Sequence, residues 1–409
     1  MFLLAHRRPV QDTSQRLPHL DGIRALAALW VVLGHSHLYA LGWTSGSTPL
    51  GKALDVLLYL HLAVDVFLVL SGFCLALPVV RNGYRLNVPV GDYLWGRAAR
   101  ILPPYYAVLL LLLLVNSIVP ITVWSRHAAG LTQDLPAGVL WSNLLLLQDI
   151  FPTYNQINGP FWSIATEWHL YFLFPLIVVL LRRIGEASLM VLGAALAALL
   201  VRADATLGIA SPAFPIMVPH PPHYILLFLL GIASASLAFG GHGGASKARP
   251  AVAWATMALL GIPLLLLLYR WRIVDASNVH VFEDHYPILD ALTGGVTAAG
   301  LWGLAQLPAQ AWARRVLAWR PLVWIGGFSY SLYLVHNPVL AAVYRWIQLS
   351  KAGTLAPSLQ FALLVAAGGG ASLLLAWGIG RVFEVRVTRA LSPKRWRAAR
   401  VQTGSAAIT

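Results

Sequence analysis

The chain has 409 residues, of which 58% are hydrophobic and only 11% charged. A soluble surface needs about a quarter of charged residues, so this composition, with a mean hydropathy of +0.70, excludes a set of soluble domains, a disordered chain and a collagen-like fibre. The single cysteine, Cys74, excludes an intrachain disulfide scaffold, and the formal charge of +14 reads first as membrane topology, because Lys and Arg collect on cytoplasmic loops, and not as a nucleic-acid footprint.

A helix needs about 20 mostly apolar residues to cross the hydrocarbon core. In chain order such segments fall at about 24–43, 54–79, 101–123, 161–181, 187–201, 223–240, 251–269, 287–306, 322–345 and 358–380. Segment 187–201 is short, and the apolar stretch 137–150 is too short to span, so it is expected as a re-entrant or interfacial piece. The opening run Met1–Ala5 is too short for a signal-peptide core and no cleaved signal is expected. The predicted fold is therefore an all-α membrane protein. It is a bundle of about ten transmembrane helices with both termini cytoplasmic: segment 1–23, a transmembrane domain 24–380, and a basic cytoplasmic tail 381–409. This threading puts 22 of the 29 Lys and Arg residues on the cytoplasmic side, and counting 137–150 as a span would invert every later loop. No period of roughly 20–50 residues recurs, and no soluble catalytic domain is expected. Chemistry must occur in the bundle or at its cytoplasmic mouth.

Ionisable groups inside a bilayer are costly and mark function. Arg24 and His35 lie eleven residues apart, which on a helix is three turns plus about 20°, one face, and about 16 Å of axial separation. Arg24 is then at the cytoplasmic rim and His35 near mid-membrane. Imidazole suits a general base at neutral pH; a core histidine donating to a backbone carbonyl is the competing reading, and for Arg24 a snorkelling anchor. The second helix carries Asp55, His61 and Asp65. Asp65 could orient His35, pair with Arg24, or brace two helices. Ser71-Gly72 offers a small-residue packing contact. Arg97 and Arg100 are spaced to face the same way on a short helix, suited to phosphate or to topology signalling and lipid headgroups. Glu167 lies just inside a span among Trp162, Trp168 and His169, with Ser163 and Tyr171 one turn to either side. Ser329, Tyr333 and His336 form one polar stripe, for interhelical hydrogen bonds or for a site.

Five blocks carry a resemblance: LDGIRALAALWVVLGHSH at 20–37, VDVFLVLSGF at 64–73, RAARILPPYY at 97–106, FWSIATEW at 161–168 and SYSLYLVHNP at 329–338. In this order they resemble the integral-membrane acyltransferase family 3, over about residues 16–380. The resemblance implies O-acylation, most often acetylation, of lipopolysaccharide, exopolysaccharide, peptidoglycan or small glycosides and macrolides, in the bacterial inner membrane. It implies that Arg24 and His35 match an Arg-x10-His pattern with a catalytic His. It also implies that Arg97 and Arg100 match an Arg-x-x-Arg pattern for the acyl-CoA donor, and that Glu167 matches the acid after Phe-Trp-Ser. Arg24, His35, Asp65 and Glu167 are thus the expected catalytic set, and Arg97, Arg100 and Arg24 the expected donor site. The donor is acetyl-CoA or another acyl-CoA, with no metal. Expected partners are a carbohydrate or glycoside acceptor, membrane lipid and polysaccharide-assembly proteins. Family members fused to an extracytoplasmic esterase-like domain run longer, so transfer is expected to be completed by this chain or handed to a separate protein.

Outward-facing segments 151–160, 203–223 and 271–287 offer His220, His223, Trp271, Glu283, Asp284 and His285 for the acceptor, or merely as wet loop residues. His220 and His223 have no further ligands at metal-site spacing. Two other classes compete: a proton-coupled transporter of a polysaccharide or lipid-linked sugar with His35, Asp65 and Glu167 as relay, and a structural scaffold.

Overall fold

The computed structural model describes residues 17–43, 49–118, 135–151, 153, 156–207, 223–240 and 249–391. His220, the first 16 residues, most of segment 203–223 and the tail beyond 391 lie outside the described residues.

Every regular element described is helical. The principal helices are α1 (Pro18–Ala40), α2 (His61–Arg81), α3 (Val90–Ile118), the short α4 (Ala137–Leu144), α5 (Phe161–Leu207), α6 (Tyr224–Phe239), α7 (Arg249–Arg270), α8 (Tyr286–Gln306), α9 (Ser329–Leu349) and α10 (Pro357–Ala390). Among the described residues six helices are long and apolar enough to cross a membrane: α2, α3, α5, α7, α8 and α10. α6 is apolar but has 16 residues. α1 and α9 have the length, but their polar residues replace a uniformly apolar surface; Ser36, His37, Ser331, His336 and Asn337 are buried inside the bundle. The outward face of α7 is the reverse, with Leu259 71% and Leu265 67% exposed, a surface that belongs in lipid.

Several boundaries differ from the expected spans. α1 begins at Pro18, where a missing N–H costs nothing in the first turn, so His35 is the eighteenth of its 23 residues. It lies beyond the middle of α1 and not at its centre. α3 begins at Val90, so Arg97 and Arg100 sit two to three turns inside a long helix and not on a short one. The stretch 137–150 yields only the eight residues of α4. The hydroxyls of Tyr105 and Tyr106, near the middle of α3, donate to the carbonyls of Asn143 (2.8 Å) and Leu144 (2.6 Å), so this piece tucks against α3 part-way along it. The expected spans 161–181 and 187–201 are joined in α5, broken only at Gly185 with φ 79° and ψ 171°, a conformation essentially confined to glycine. α10 runs on past residue 380 to Ala390.

α1 and α2 are antiparallel. Arg24 meets Cys74, and a Cβ on Gly34 would lie 2.6 Å from that of Leu60. His35 is therefore level with the start of α2. α2 and α6 touch backbone to backbone: a Cβ on Gly72 would lie 2.1 Å from the carbonyl oxygen of Phe228, and one on Gly231 2.0 Å from that of Val69.

Candidate active site

A cavity of about 510 Å³ opens between α1, α2, α3, α5 and α9. Three guanidiniums, Arg24, Arg97 and Arg100, line it against two carboxylates, Asp92 and Glu167. Arg24 is held in place: Nη1 donates to Asp21 Oδ1 at 2.7 Å and Nη2 to Cys74 Sγ at 3.0 Å. Arg97 lies 5.8 Å from the Tyr93 ring and 5.9 Å from that of Tyr171, and its buried Nε has no acceptor. Arg100 is exposed at the mouth. Glu167 is tied to none of these arginines by a hydrogen bond; it accepts from the Tyr171 hydroxyl at 2.5 Å, which in turn receives one from Ser71 at 3.2 Å. Further along, Ser163 and Tyr333 line the cavity with their hydroxyls 2.7 Å apart.

His35 does not line the cavity. It is reached through α9. The Tyr333 and His336 rings are 5.6 Å apart, and those of His336 and His35 4.9 Å. The tautomers follow from the partners. His336 Nδ1 faces the carbonyls of Tyr333 (2.8 Å) and Leu332 (3.2 Å); a carbonyl only accepts, so Nδ1 carries the proton. Neutral His336 then presents a lone pair at Nε2, 3.3 Å from His35 Nδ1. His35 Nδ1 also lies 3.0 Å from the Val31 carbonyl. Both neighbours accept, so His35 Nδ1 carries the proton and Nε2 the lone pair. That is the state a general base requires.

Asp65 does neither of the two site tasks expected of it. Both its oxygens are buried and accept no hydrogen bond, while Arg24 is engaged by Asp21 and Cys74. Its carboxylate lies instead beside His61 and Asp290. Of the loop residues considered for an acceptor, His223 donates to or pairs with Asp290 at 2.8 Å, His285 stacks on Trp271 at 3.7 Å, and Glu283 lies 3.5 Å from His280. Besides Asp21 and Asp92, the acids Asp290 and Glu384 were not singled out in the sequence. Asp290 is fully buried in α8. Glu384, read as tail, accepts from the backbone N–H of Ser331 at 2.9 Å and from its hydroxyl, pinning α10 to the first turn of α9. The visible signal for Glu384 was one acid among Arg381, Arg386 and Arg389.

Comparison with known proteins bears on the chemistry. The chain is 26% identical over 347 residues to the Bacillus subtilis (strain 168) protein named "Putative peptidoglycan O-acetyltransferase YrhL", covering 79% of this chain and 48% of that one. It is 25% identical over 342 residues to the O-acetyltransferase OatA of Staphylococcus aureus (strain NCTC 8325 / PS 47), covering 80% and 51%. The chain thus spans about half the length of the curated relatives it matches. No solved structure matches it. The acyltransferase domain itself matches residues 17–381, the stretch that holds the arginine-lined cavity and the two facing histidines, and by that match the chain belongs to the integral-membrane acyltransferase family 3.

Proposed function

We propose that the chain is an O-acyltransferase of the bacterial inner membrane, with ten spans and both termini cytoplasmic. It moves an acetyl group from acetyl-CoA to a hydroxyl of a carbohydrate or glycoside, cell-surface or exported. The observation that carries this reading is one cavity with three guanidiniums, continued past Ser163 and Tyr333 by the His336–His35 pair. The orphaned Nε of Arg97 fits a polyanionic donor, since a buried unpaired donor is costly until an acceptor arrives. Arg97 and Arg100 hold the phosphates and Arg24 assists deeper in. The thin pantetheine arm runs along the cavity toward Tyr333.

His35 Nε2 removes the proton of the acceptor hydroxyl as its oxygen bonds to the thioester carbonyl carbon. The C–S bond then breaks and the proton passes from His35 to the departing thiolate, so the base is regenerated. An acyl group carried transiently on His35 is a variant of the same step. The Tyr333 phenol, 2.7 Å from the Ser163 hydroxyl, can turn its proton to the thioester oxygen as negative charge develops there. His336, with the Val31 carbonyl, sets the tautomer of His35, a part for which Asp65 and Glu167 were the candidates in the sequence.

The test is His35→Ala, assayed for acetyl transfer and for CoA released only when acceptor is present. General-base catalysis is typically worth about 10²–10⁴-fold, and a loss of that size in a normally inserted protein is expected. Near-wild-type transfer by a well-expressed variant would sink the assignment. The acceptor is identified by comparing the glycans and glycosides of a deletion strain with its parent for missing acetyl groups.

A further inference from the structure

A second polar cluster lies behind the cavity. His61 opens α2 and Asp65 follows one turn later on the same face. His223 precedes α6 and Asp290 lies one turn inside α8. Val64, beside Asp65, lines the cavity wall. Asp290 Oδ2 is 3.1 Å from His61 Nε2 and 2.8 Å from His223 Nε2. One ligand-capable atom from each of His61, Asp65 and Asp290 falls within 4.8 Å of the others. Asp65 and Asp290 are 0% exposed and His223 6%. Neither oxygen of Asp65 accepts a hydrogen bond, nor does Asp290 Oδ1.

Two buried carboxylates side by side repel each other strongly unless they share a proton or a positive centre stands between them. Protonating the imidazoles does not resolve this. Both histidines address Asp290, and Asp65 faces Asp290 and His61 with no imidazole bonded to it. The Tyr224 hydroxyl lies 3.0 Å from His61 Nε2 as well, and it can donate to a bare nitrogen or accept from a protonated one. A cation bound to that nitrogen leaves the Tyr224 proton for a carboxylate oxygen.

We propose that His61, Asp65, His223 and Asp290 bind one divalent cation of the zinc class. Two imidazole nitrogens and two carboxylate oxygens are a four-coordinate donor set for zinc, at about 2.0–2.2 Å from the metal. Tetrahedral geometry then separates the ligand atoms by roughly 3.3–3.5 Å. The two His–Asp290 separations, 3.1 and 2.8 Å, need to open by about 0.2–0.7 Å, and the wider separations of the cluster, which lie within 4.8 Å, to close by up to about 1.5 Å. The Tyr286 ring, stacked on His61 at 4.0 Å and 4° between planes, holds that imidazole's orientation. The ion pins α2, α6 and α8 together beside the inner wall of the cavity. Because it takes no part in acyl transfer, the proposal stands apart from the proposed reaction.

The full-length protein in detergent is stripped with chelator, exposed to micromolar Zn²⁺, desalted and analysed for metal by mass spectrometry. About one zinc per chain is expected, with loss to below about a tenth in Asp65→Asn and in Asp290→Asn. His280→Ala, at an exposed pair with Glu283, keeps the metal. Zinc absorption spectroscopy on the unmutated protein serves even where a variant fails to fold; it should report mixed nitrogen and oxygen neighbours including imidazole. Zinc should also raise the thermal midpoint of the unmutated protein and not that of Asp65→Asn. The proposal is overturned by an unmutated chain that retains no zinc, by equal zinc in Asp65→Asn, by loss in His280→Ala, or by preference for Mg²⁺ or Ca²⁺.

Discussion

His336 donates from Nδ1 to two carbonyls of its own helix, which turns its other nitrogen into a fixed acceptor for His35. Removing it leaves His35 Nδ1 with the Val31 carbonyl but without the group that sets its direction. His336→Ala should lower kcat by about 10–100-fold, less than loss of the base itself, with KM little changed and the acid limb of the pH–rate profile displaced. His336→Gln, whose carbonyl can accept from His35, should recover part of the rate; unchanged kcat and pH profile in the alanine variant would reduce His336 to packing. At the other end of the cavity, Arg97→Ala and Arg100→Ala should each weaken acetyl-CoA binding by about 10–100-fold, the range of a charge-assisted hydrogen bond of roughly 1.5–3 kcal/mol. Titration calorimetry at low and high salt should show the larger loss at low salt, where guanidinium charge is least screened. Affinity indifferent to both variants would remove them from the donor site. Arg24, Arg97, Arg100 and Glu167, named from the sequence, line one cavity, and their shared helix faces were legible because helical spacing is a local property. The pairing of His35 with His336 joins residues 301 apart, and no periodicity encodes such a contact. The same holds for Asp290, which reads as an ordinary polar residue until α2 and α6 deliver His61 and His223 to it.

Helix by helix, hydropathy located most of the segments but not their ends. The reason is that a helix stops where its hydrogen bonds and packing stop, not where its apolar residues do. α10 continues through Arg381 because Glu384 is anchored to Ser331 and the Thr388 hydroxyl donates to the carbonyl of Ala99. α1 starts before its apolar run because Pro18 and Asp21 suit a first turn. The Ser71-Gly72 pair was read as a packing contact, and Gly72 serves as one. With the carbonyl oxygen of Phe228 2.1 Å from where its Cβ would be, no side chain fits unless α2 and α6 part. Gly72→Leu should cost more than the usual 1–3 kcal/mol of an overpacked core, roughly, since the clash is with backbone. The expected sign is a lowered thermal midpoint with loss of monodisperse protein on size exclusion. Gly91→Ala, where nothing lies within 4 Å, is the matched control and should behave as the parent. Equal stability of the two variants would show that α2 and α6 are not in backbone contact.

For the molecule as a whole, a group of basic residues and the arginine-lined cavity share one end of the bundle. The start of α1 meets the segment before α9, because a Cβ on Gly326 would lie 2.0 Å from the Asp21 carbonyl oxygen. The first turns of α3 meet the end of α10, where Trp95 donates to the carbonyl of Leu391 at 2.8 Å. Arg24, Arg97, Arg100, Arg320 and Arg389 are thereby drawn to the same side. His61, Asp65 and Asp290 cluster at the opposite ends of their helices. On the proposed reading the donor is cytosolic acetyl-CoA, which the guanidinium end then has to face, and the positive-inside bias favours the same direction. Cysteine labelling in a Cys74→Ala background tests both at once. Gln310→Cys lies in the exposed turn between α8 and α9 and Ser277→Cys in the exposed turn between α7 and α8. In intact cells a membrane-impermeant thiol reagent should reach Ser277→Cys and spare Gln310→Cys until the cells are opened. The reverse pattern would turn the arginine-lined mouth away from the cytosolic thioester pool. Arg97 and Arg100 would then have no donor to hold, whatever their affinity for phosphate.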